Sequence, residues 1–260
     1  DAYGIPSIHM GLRVAQMAAE KKVVFQDMED QSAEVRKTAM EAGVYHFSRD
    51  GVHPYTDTGH ILYLQAVERA MKQILPAAKP GPHALATPLR ADNWEDAKMV
   101  PLSKAQLSPE WQRCDPATDG NARAFANRLP ELWLTDTPGA SVHFRFKGTV
   151  VKIYDLLGPQ CGAVHVTVDG KDVGTRDRFD PYCTYYRLAT LGVAEGLAAD
   201  EIHEVRLEVA TEQPKKRDIL KHRAGPNADV LALDDQAFAS RFDGTKWYAG
   251  TIMLLGELVD

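Results

Sequence analysis

The chain has 260 residues, 44% of them apolar and 25% charged, with a net charge of −6. That is the profile of a globular protein with room for one large domain or two ordinary ones. Both signs of charge are scattered along it and no basic stripe is present, so nucleic acid is not expected as a partner. No apolar run approaches the roughly 18–20 residues of a membrane span, so a membrane is not expected either. The sequence opens at Asp1 with neither a methionine nor a signal peptide, which suits a mature secreted or periplasmic protein and equally a fragment.

In chain order, residues 1–78 read as α/β. Ile5-Pro6-Ser7-Ile8-His9-Met10 is a short apolar run that suits a buried strand. From Gly11 to about Glu20, Val14, Met17 and Ala18 recur at helical spacing. A second helix is predicted from Ser32 to Ala42, with Gly43 as its C-terminal cap. A third follows Asp57 and Thr58, either of which suits its start. Its expected apolar stripe is Ile61, Leu64, Val67, Met71 and Ile74, with Glu68, Arg69, Lys72 and Gln73 facing away. It should stop before Pro76. Lys79-Pro80-Gly81-Pro82 then opens an interdomain linker, taken as 79–101.

After the linker the period changes to two. Val142, Phe144 and Phe146 alternate with polar residues, and Val150, Val151 and Ile153 follow. Val164, Val166 and Val168 alternate in turn and lead into the hairpin pair Asp169-Gly170. Residues 202–209 alternate again, and Thr251-Ile252-Met253-Leu254-Leu255 closes the series. The expectation for 102–260 is an antiparallel β-sandwich with the three valines 164, 166 and 168 facing inward. The cysteines, Cys114, Cys161 and Cys183, show no metal-finger spacing, so neither a metal nor a cofactor is expected. Cys161 and Cys183 share one β-rich region and are candidates for a disulfide. Three reduced thiols are the favoured alternative.

The chemistry sits in Ser48-Arg49-Asp50-Gly51-Val52-His53-Pro54. Ester hydrolysis by a serine needs a base for the hydroxyl proton, an acid to orient that base, and donors for the oxyanion. A carboxylate three residues before a histidine on a tight loop can supply the first two. Asp50 would accept from Nδ1–H of His53 and leave Nε2 open to take a proton. Gly51 lets the loop turn and Pro54 stiffens its exit. By spacing alone, the pair is also what a surface Asp and His near a helix start would give. His60 has two readings, a ligand or substrate contact and a helix-start residue packed under the loop. The second is favoured.

The order Tyr3-Gly4-Ile5-Pro6-Ser7-Ile8, Asp50-Gly51-Val52-His53-Pro54, Thr58-Gly59-His60 resembles the end of the SGNH (GDSL-like) hydrolase domain, over about seventy-five residues. The resemblance implies the C-terminal part of a flavodoxin-like three-layer domain, with Asp50 as triad acid and His53 as general base. It departs from the family in lacking the Gly-Asp-Ser nucleophile block and the glycine and asparagine of the oxyanion hole. None of Ser7, Ser32, Ser48, Ser103, Ser108, Ser141 and Ser240 stands in such a block or in a Gly-x-Ser-x-Gly elbow. A nucleophile-bearing N-terminal segment, in the same protein or a second chain, is therefore the expected partner. The second region is similar in strand rhythm to sandwich domains appended to SGNH-type carbohydrate esterases. Its aromatics (Trp133, Trp247, Tyr182, Tyr185, Tyr186) are either sugar-stacking or, more often, core. Two functions stand: an esterase deacetylating a carbohydrate, and a non-catalytic carbohydrate-binding or interaction module on a degenerate hydrolase domain.

Overall fold

The computed structural model describes residues 15–18, 21–27, 29, 31–77, 81, 82, 84, 87–90 and 93–259. The predicted strand 5–10 lies outside them, and of the first helix 15–18 form a turn. The chain divides into two units, Asp1–Leu89 and Arg90–Asp260.

In the first unit β1 (Lys22–Val24) and β2 (Val44–His46) run parallel, with Lys22 opposite Val44 and Val24 opposite His46. Parallel neighbours need a crossover, and α1 (Ala33–Glu41) supplies it. The Ser32 hydroxyl caps α1 by accepting from Val35 N–H at 3.3 Å. Gly43, at φ +82°, turns the chain out of the helix. α2 (Gly59–Ala77) runs past Pro76, not short of it, a difference within the fraying of a helix end. The face that α2 buries is a larger correction. Leu62 and Ala66 join Met17 and Phe47 in a small core flanked by Val23, Tyr45 and Tyr63, whereas Leu64 is 56% exposed. The helix carries two apolar stripes, and the Phe47 ring at the end of β2, edge-on to Tyr63 at 5.5 Å, selects the one that includes Leu62. Two strands with their helices establish an α/β unit and no more.

In the second unit ten strands form one antiparallel sheet. Its spine is a pair of long strands, β7 (Ser141–Leu157) and β12 (Trp247–Val259), joined along most of their length. The first part of β7 also pairs with β11 (Ile202–Val209), which leads to β8 (Ala163–Val168) and β9 (Lys171–Asp177). The last part pairs instead with β10 (Arg187–Glu195). Beyond β12 lie β3 (Ala97–Pro101) and β6 (Trp133–Thr135), with β5 (Gln112–Arg113) outside β6, and β4 (Gln106–Leu107) pairs with the start of β7. β3 falls within the expected linker. It joins β12 through backbone pairing, and only Val100 of it packs on the core, so apolar alternation gave no sign of it.

The buried side of β7 changes phase midway. Val142, Phe144 and Phe146 are buried in its first part, Val151 and Ile153 in its last. The extra residue is Thr149, because the register with β12 steps from Val150–Leu255 to Gly148–Gly256. At this bulge the two glycines meet backbone to backbone: a Cβ on Gly256 would stand 2.7 Å from the Gly148 Cα and strike the Lys147 carbonyl. The bend folds the sheet over its main core, which takes side chains from β7, β8, β10, β11 and β12, as in a sandwich. Val164, Val166 and Val168 point into it. Asp169 (φ +52°) and Gly170 (φ +71°) form the two-residue turn that follows, the left-handed pair of a type I′ hairpin.

Helices interrupt the predicted all-β region. α3 (Gly120–Phe125) precedes β6, and α4 (Lys216–Lys221), α5 (Ala228–Leu231) and α6 (Asp235–Phe242) lie between β11 and β12. Asp234 caps α6 through Ala237 N–H at 2.8 Å. Phe238 and Phe242, one turn apart, pack in a second cluster with Phe179, Cys183 and Leu220. Among the polar groups buried in this unit are Asp155, His203 and Lys216. Asp155, wholly buried, accepts from Arg178 Nη2 at 2.6 Å and from Trp247 Nε1 at 3.1 Å. His203 donates from Nδ1 to Asp169 at 2.8 Å and from Nε2 to the Ala198 carbonyl at 2.9 Å. Lys216 Nζ donates to the carbonyls of Phe242, Gly244 and Pro159. All three cysteines are free thiols.

Candidate active site

β2 delivers the chain at Phe47 into a tight excursion, 48–54, closed by an antiparallel bridge between Ser48 and Pro54. Tyr55 N–H returns to the Phe47 carbonyl at 2.8 Å, and α2 starts at Gly59. Gly59 must lack a side chain, since a Cβ there would strike the Phe47 carbonyl and stand 2.7 Å from Pro54 Cβ. Thr58 and Asp57, the expected caps, are engaged elsewhere. The Thr58 hydroxyl donates to the His46 carbonyl at 2.6 Å. Asp57 accepts from Arg36 of α1 at 3.1 and 2.7 Å, which holds its carboxyl below the usual range. Arg36 also lies 4.0 Å over the Tyr55 ring. The exit of the loop is thus tied to both α1 and β2.

Within the excursion the structure brings Asp50 and His53 together. His53 Nδ1 lies 2.6 Å from Asp50 Oδ2, and a carboxylate can only accept, so Nδ1 carries the proton. The other oxygen, Oδ1, accepts from the backbone N–H groups of Val52 (2.9 Å) and His53 (2.8 Å). The His53 ring, then those two N–H groups, hold the Asp50 carboxyl well below the usual carboxylate range. Gly51, at φ +79°, makes the turn with no Cβ penalty. The His53 side chain is 83% exposed, so Nε2, the nitrogen away from Asp50, faces outward. Chemically the arrangement is a base with its tautomer fixed and its free nitrogen presented.

Of the other sequence candidates, His60 is exposed, its ring 6.3 Å from Tyr63; it does not pack beneath the loop, because the buried positions of this helix face are Leu62 and Ala66. Ser7 lies outside the described residues. Ser32 caps α1, Ser103 donates to Glu131 at 3.0 Å, and Ser108 accepts from Ser141 N–H at 2.9 Å. Sequence reasoning missed a second acid–histidine pair, Asp27 Oδ1 and His46 Nδ1 at 2.6 Å, at the ends of β1 and β2. Asp27 is buried and His46 half-buried, and Asp27 Oδ2 has no hydrogen-bond partner. Among the aromatics Trp247 is core, Trp133 and Tyr186 are half-buried, and Tyr182 and Tyr185 are exposed. Among the described residues no three His, Cys, Asp or Glu side chains gather as a metal set would, and no helix is long and apolar enough to cross a membrane.

No protein-family model matches the chain, and no curated protein matches it. Among solved structures it is similar to a two-domain esterase active on acetylated mannans, co-crystallised with mannopentaose. The TM-score is 0.53 at 14% identity, over 81% of this chain and 49% of that one. A second structure of a two-domain esterase active on acetylated mannans gives 0.51 at 14%, over 80% and 49%. A family two carbohydrate esterase from Cellvibrio japonicus gives 0.35 at 9%, over 62% and 34%. The chain spans about half the length of the two esterases it matches best among these. At these identities what the chain shares with the two-domain esterase is its fold.

Proposed function

We propose that the chain is part of an SGNH-type serine esterase that removes acetyl groups from a carbohydrate. Residues 1–78 are then the C-terminal part of the three-layer hydrolase domain, and the sheet unit is a carbohydrate-binding-like companion. The observation that carries this reading is the Asp50–His53 pair at 2.6 Å with the far side of the ring exposed. The fold shared with an esterase active on acetylated mannans supports it. The nucleophilic serine and its oxyanion donors belong to an N-terminal segment, in the same protein or in a second chain. The whole protein is secreted or periplasmic, and its substrate is an acylated polysaccharide.

Each group has one task in that reaction. His53 Nε2 takes the serine proton as the hydroxyl oxygen bonds to the acetyl carbon, and returns it to the sugar oxygen as the ester C–O bond breaks. It then takes a proton from water as the water oxygen bonds to the acetyl carbon, and gives it to the serine oxygen as the acyl C–O bond breaks and acetate leaves. Asp50 keeps Nδ1 protonated and stabilises the imidazolium that forms twice per cycle. The test is acetate release from an acetylated oligosaccharide by the protein joined to its nucleophile-bearing segment. His53→Ala should abolish it and Asp50→Asn should reduce it strongly, on the order of 10⁴-fold as for such pairs elsewhere. The chain without that segment should cleave an aryl acetate no faster than its own His53→Ala variant. Equal rates for the joined protein and its His53→Ala form would sink the esterase reading. One observation favours the second reading, a binding module: Tyr182 and Tyr185 stand exposed on one loop of the sheet unit.

A further inference from the structure

We infer that Ser48 is a positioning residue for the Asp50–His53 pair; the inference rests on that pair being the catalytic one. Ser48 is 0% exposed. Its hydroxyl donates to the Phe25 carbonyl just past β1 at 2.8 Å and accepts from Gly51 N–H at 2.7 Å. One proton and two lone pairs allow both bonds at once. Its own carbonyl accepts from Asp27 N–H at 2.9 Å, and it forms the bridge with Pro54 that closes the excursion. One buried residue therefore ties the end of β1 to the turn that carries the acid.

Why this reaches the base follows from exposure. A ring 83% exposed has little packing to fix its direction, so His53 takes its orientation from Asp50. Asp50 in turn is held by the N–H groups of Val52 and His53, which move with the turn at Gly51. The inner anchor of that turn is the Gly51 N–H on Ser48 Oγ. Replacing Ser48 by alanine takes from the Phe25 carbonyl and the Gly51 N–H the partner they share on the wholly buried Ser48 side chain. Two unpaired backbone groups there favour a different path for the turn, and the geometry that puts Oδ2 at Nδ1 goes with it.

The experiment reads the His53 ring nitrogens by ¹⁵N NMR in the full chain, for wild type, Ser48→Ala and Asp50→Ala. Wild type should show a single Nδ1–H tautomer, and Asp50→Ala a tautomer mixture. Ser48→Ala should give the same mixture while amides of Ala33–Glu41 keep their folded shifts. A mixture in Asp50→Ala with a single tautomer in Ser48→Ala overturns the role of Ser48 and leaves the pair intact. A wild-type ring that is already mixed, or indifferent to Asp50→Ala, overturns the pair and the inference with it. Should Ser48→Ala unfold the first unit, wild-type exchange at Gly51 N–H decides. Protection of about tenfold or more, as one buried hydrogen bond gives, supports the anchor. Exchange at the rate of a free amide overturns it.

Discussion

Asp155 offers the sharpest test of how the sheet unit is held together. It is wholly buried on β7, between Arg178 Nη2 at 2.6 Å and Trp247 Nε1 at 3.1 Å. Asp155→Leu removes the carboxylate and leaves the Arg178 guanidinium in the interior, where its Nε already lacks a partner. Breaking one side of a buried pair costs about 3–5 kcal/mol, a large part of the 5–15 kcal/mol by which an ordinary domain is stable. Replacing both residues, Asp155→Leu with Arg178→Met, removes the stranded charge. The double variant should therefore recover most of the loss. It should not recover all of it, because Trp247 N–H still has no acceptor, at about 1–3 kcal/mol. The assay is urea unfolding of the four proteins of the cycle, followed by tryptophan fluorescence, to which Trp247 and its neighbour Trp111 at 5.1 Å contribute. A single-variant cost below about 1 kcal/mol, or a double variant as unstable as the sum of the singles, would refute the argument.

Other outcomes follow from features of the same unit. His203 donates from both ring nitrogens, and its bond to Asp169, then that to the Ala198 carbonyl, raises its pKa above the ordinary 6.5. The folded state thus binds the proton more tightly than the unfolded one, so the stabilisation is complete below about pH 6.5 and fades as pH rises through the raised value. Urea midpoints of wild type minus His203→Gln should shrink between pH 6 and pH 9; a difference that grows contradicts the protonated form. Gly256→Ala should cost about 2 kcal/mol or more, from a φ of +145° and a Cβ 2.7 Å from Gly148. Gly120→Ala, in open space at a helix start, should be neutral or stabilise by up to about 1 kcal/mol; equal thermal shifts for the two would undo the steric account. Burial pushes the thiols of Cys161 and Cys183 up to about 12. They should resist an aromatic disulfide at pH 8 until urea unfolds the chain, and fast labelling of the native protein would contradict their burial.

What the sequence could reveal depended on how local the physics was. The strands around Val142, Val164 and Val205 were legible because each buries alternate side chains against one core, and Asp169-Gly170 because only such residues take two left-handed positions in succession. Asp50 and His53 were legible because their partnership is made within four residues. β1 and β2 were not, at three residues each, since pairing in parallel leaves no mark in so short a run. The buried stripe of α2 was misassigned because Leu62–Ala66 and Leu64–Val67 satisfy helical spacing equally. The Asp27–His46 pair is invisible without the register that sets Val24 beside His46. α4, α5 and α6 went unnoticed as helices of four to eight residues, whose apolar side chains meet Phe179 from afar in sequence.

The meeting of Gly148 and Gly256 constrains how the sheet unit can come apart. Because β7 and β12 both cross the bend, the two sides of the core are built on the same pair of long strands. Loosening one side pulls on polypeptide that the opposite side needs in place. Partial opening from within should thereby be disfavoured, and the amides flanking the two glycines should be among the last of this unit to exchange.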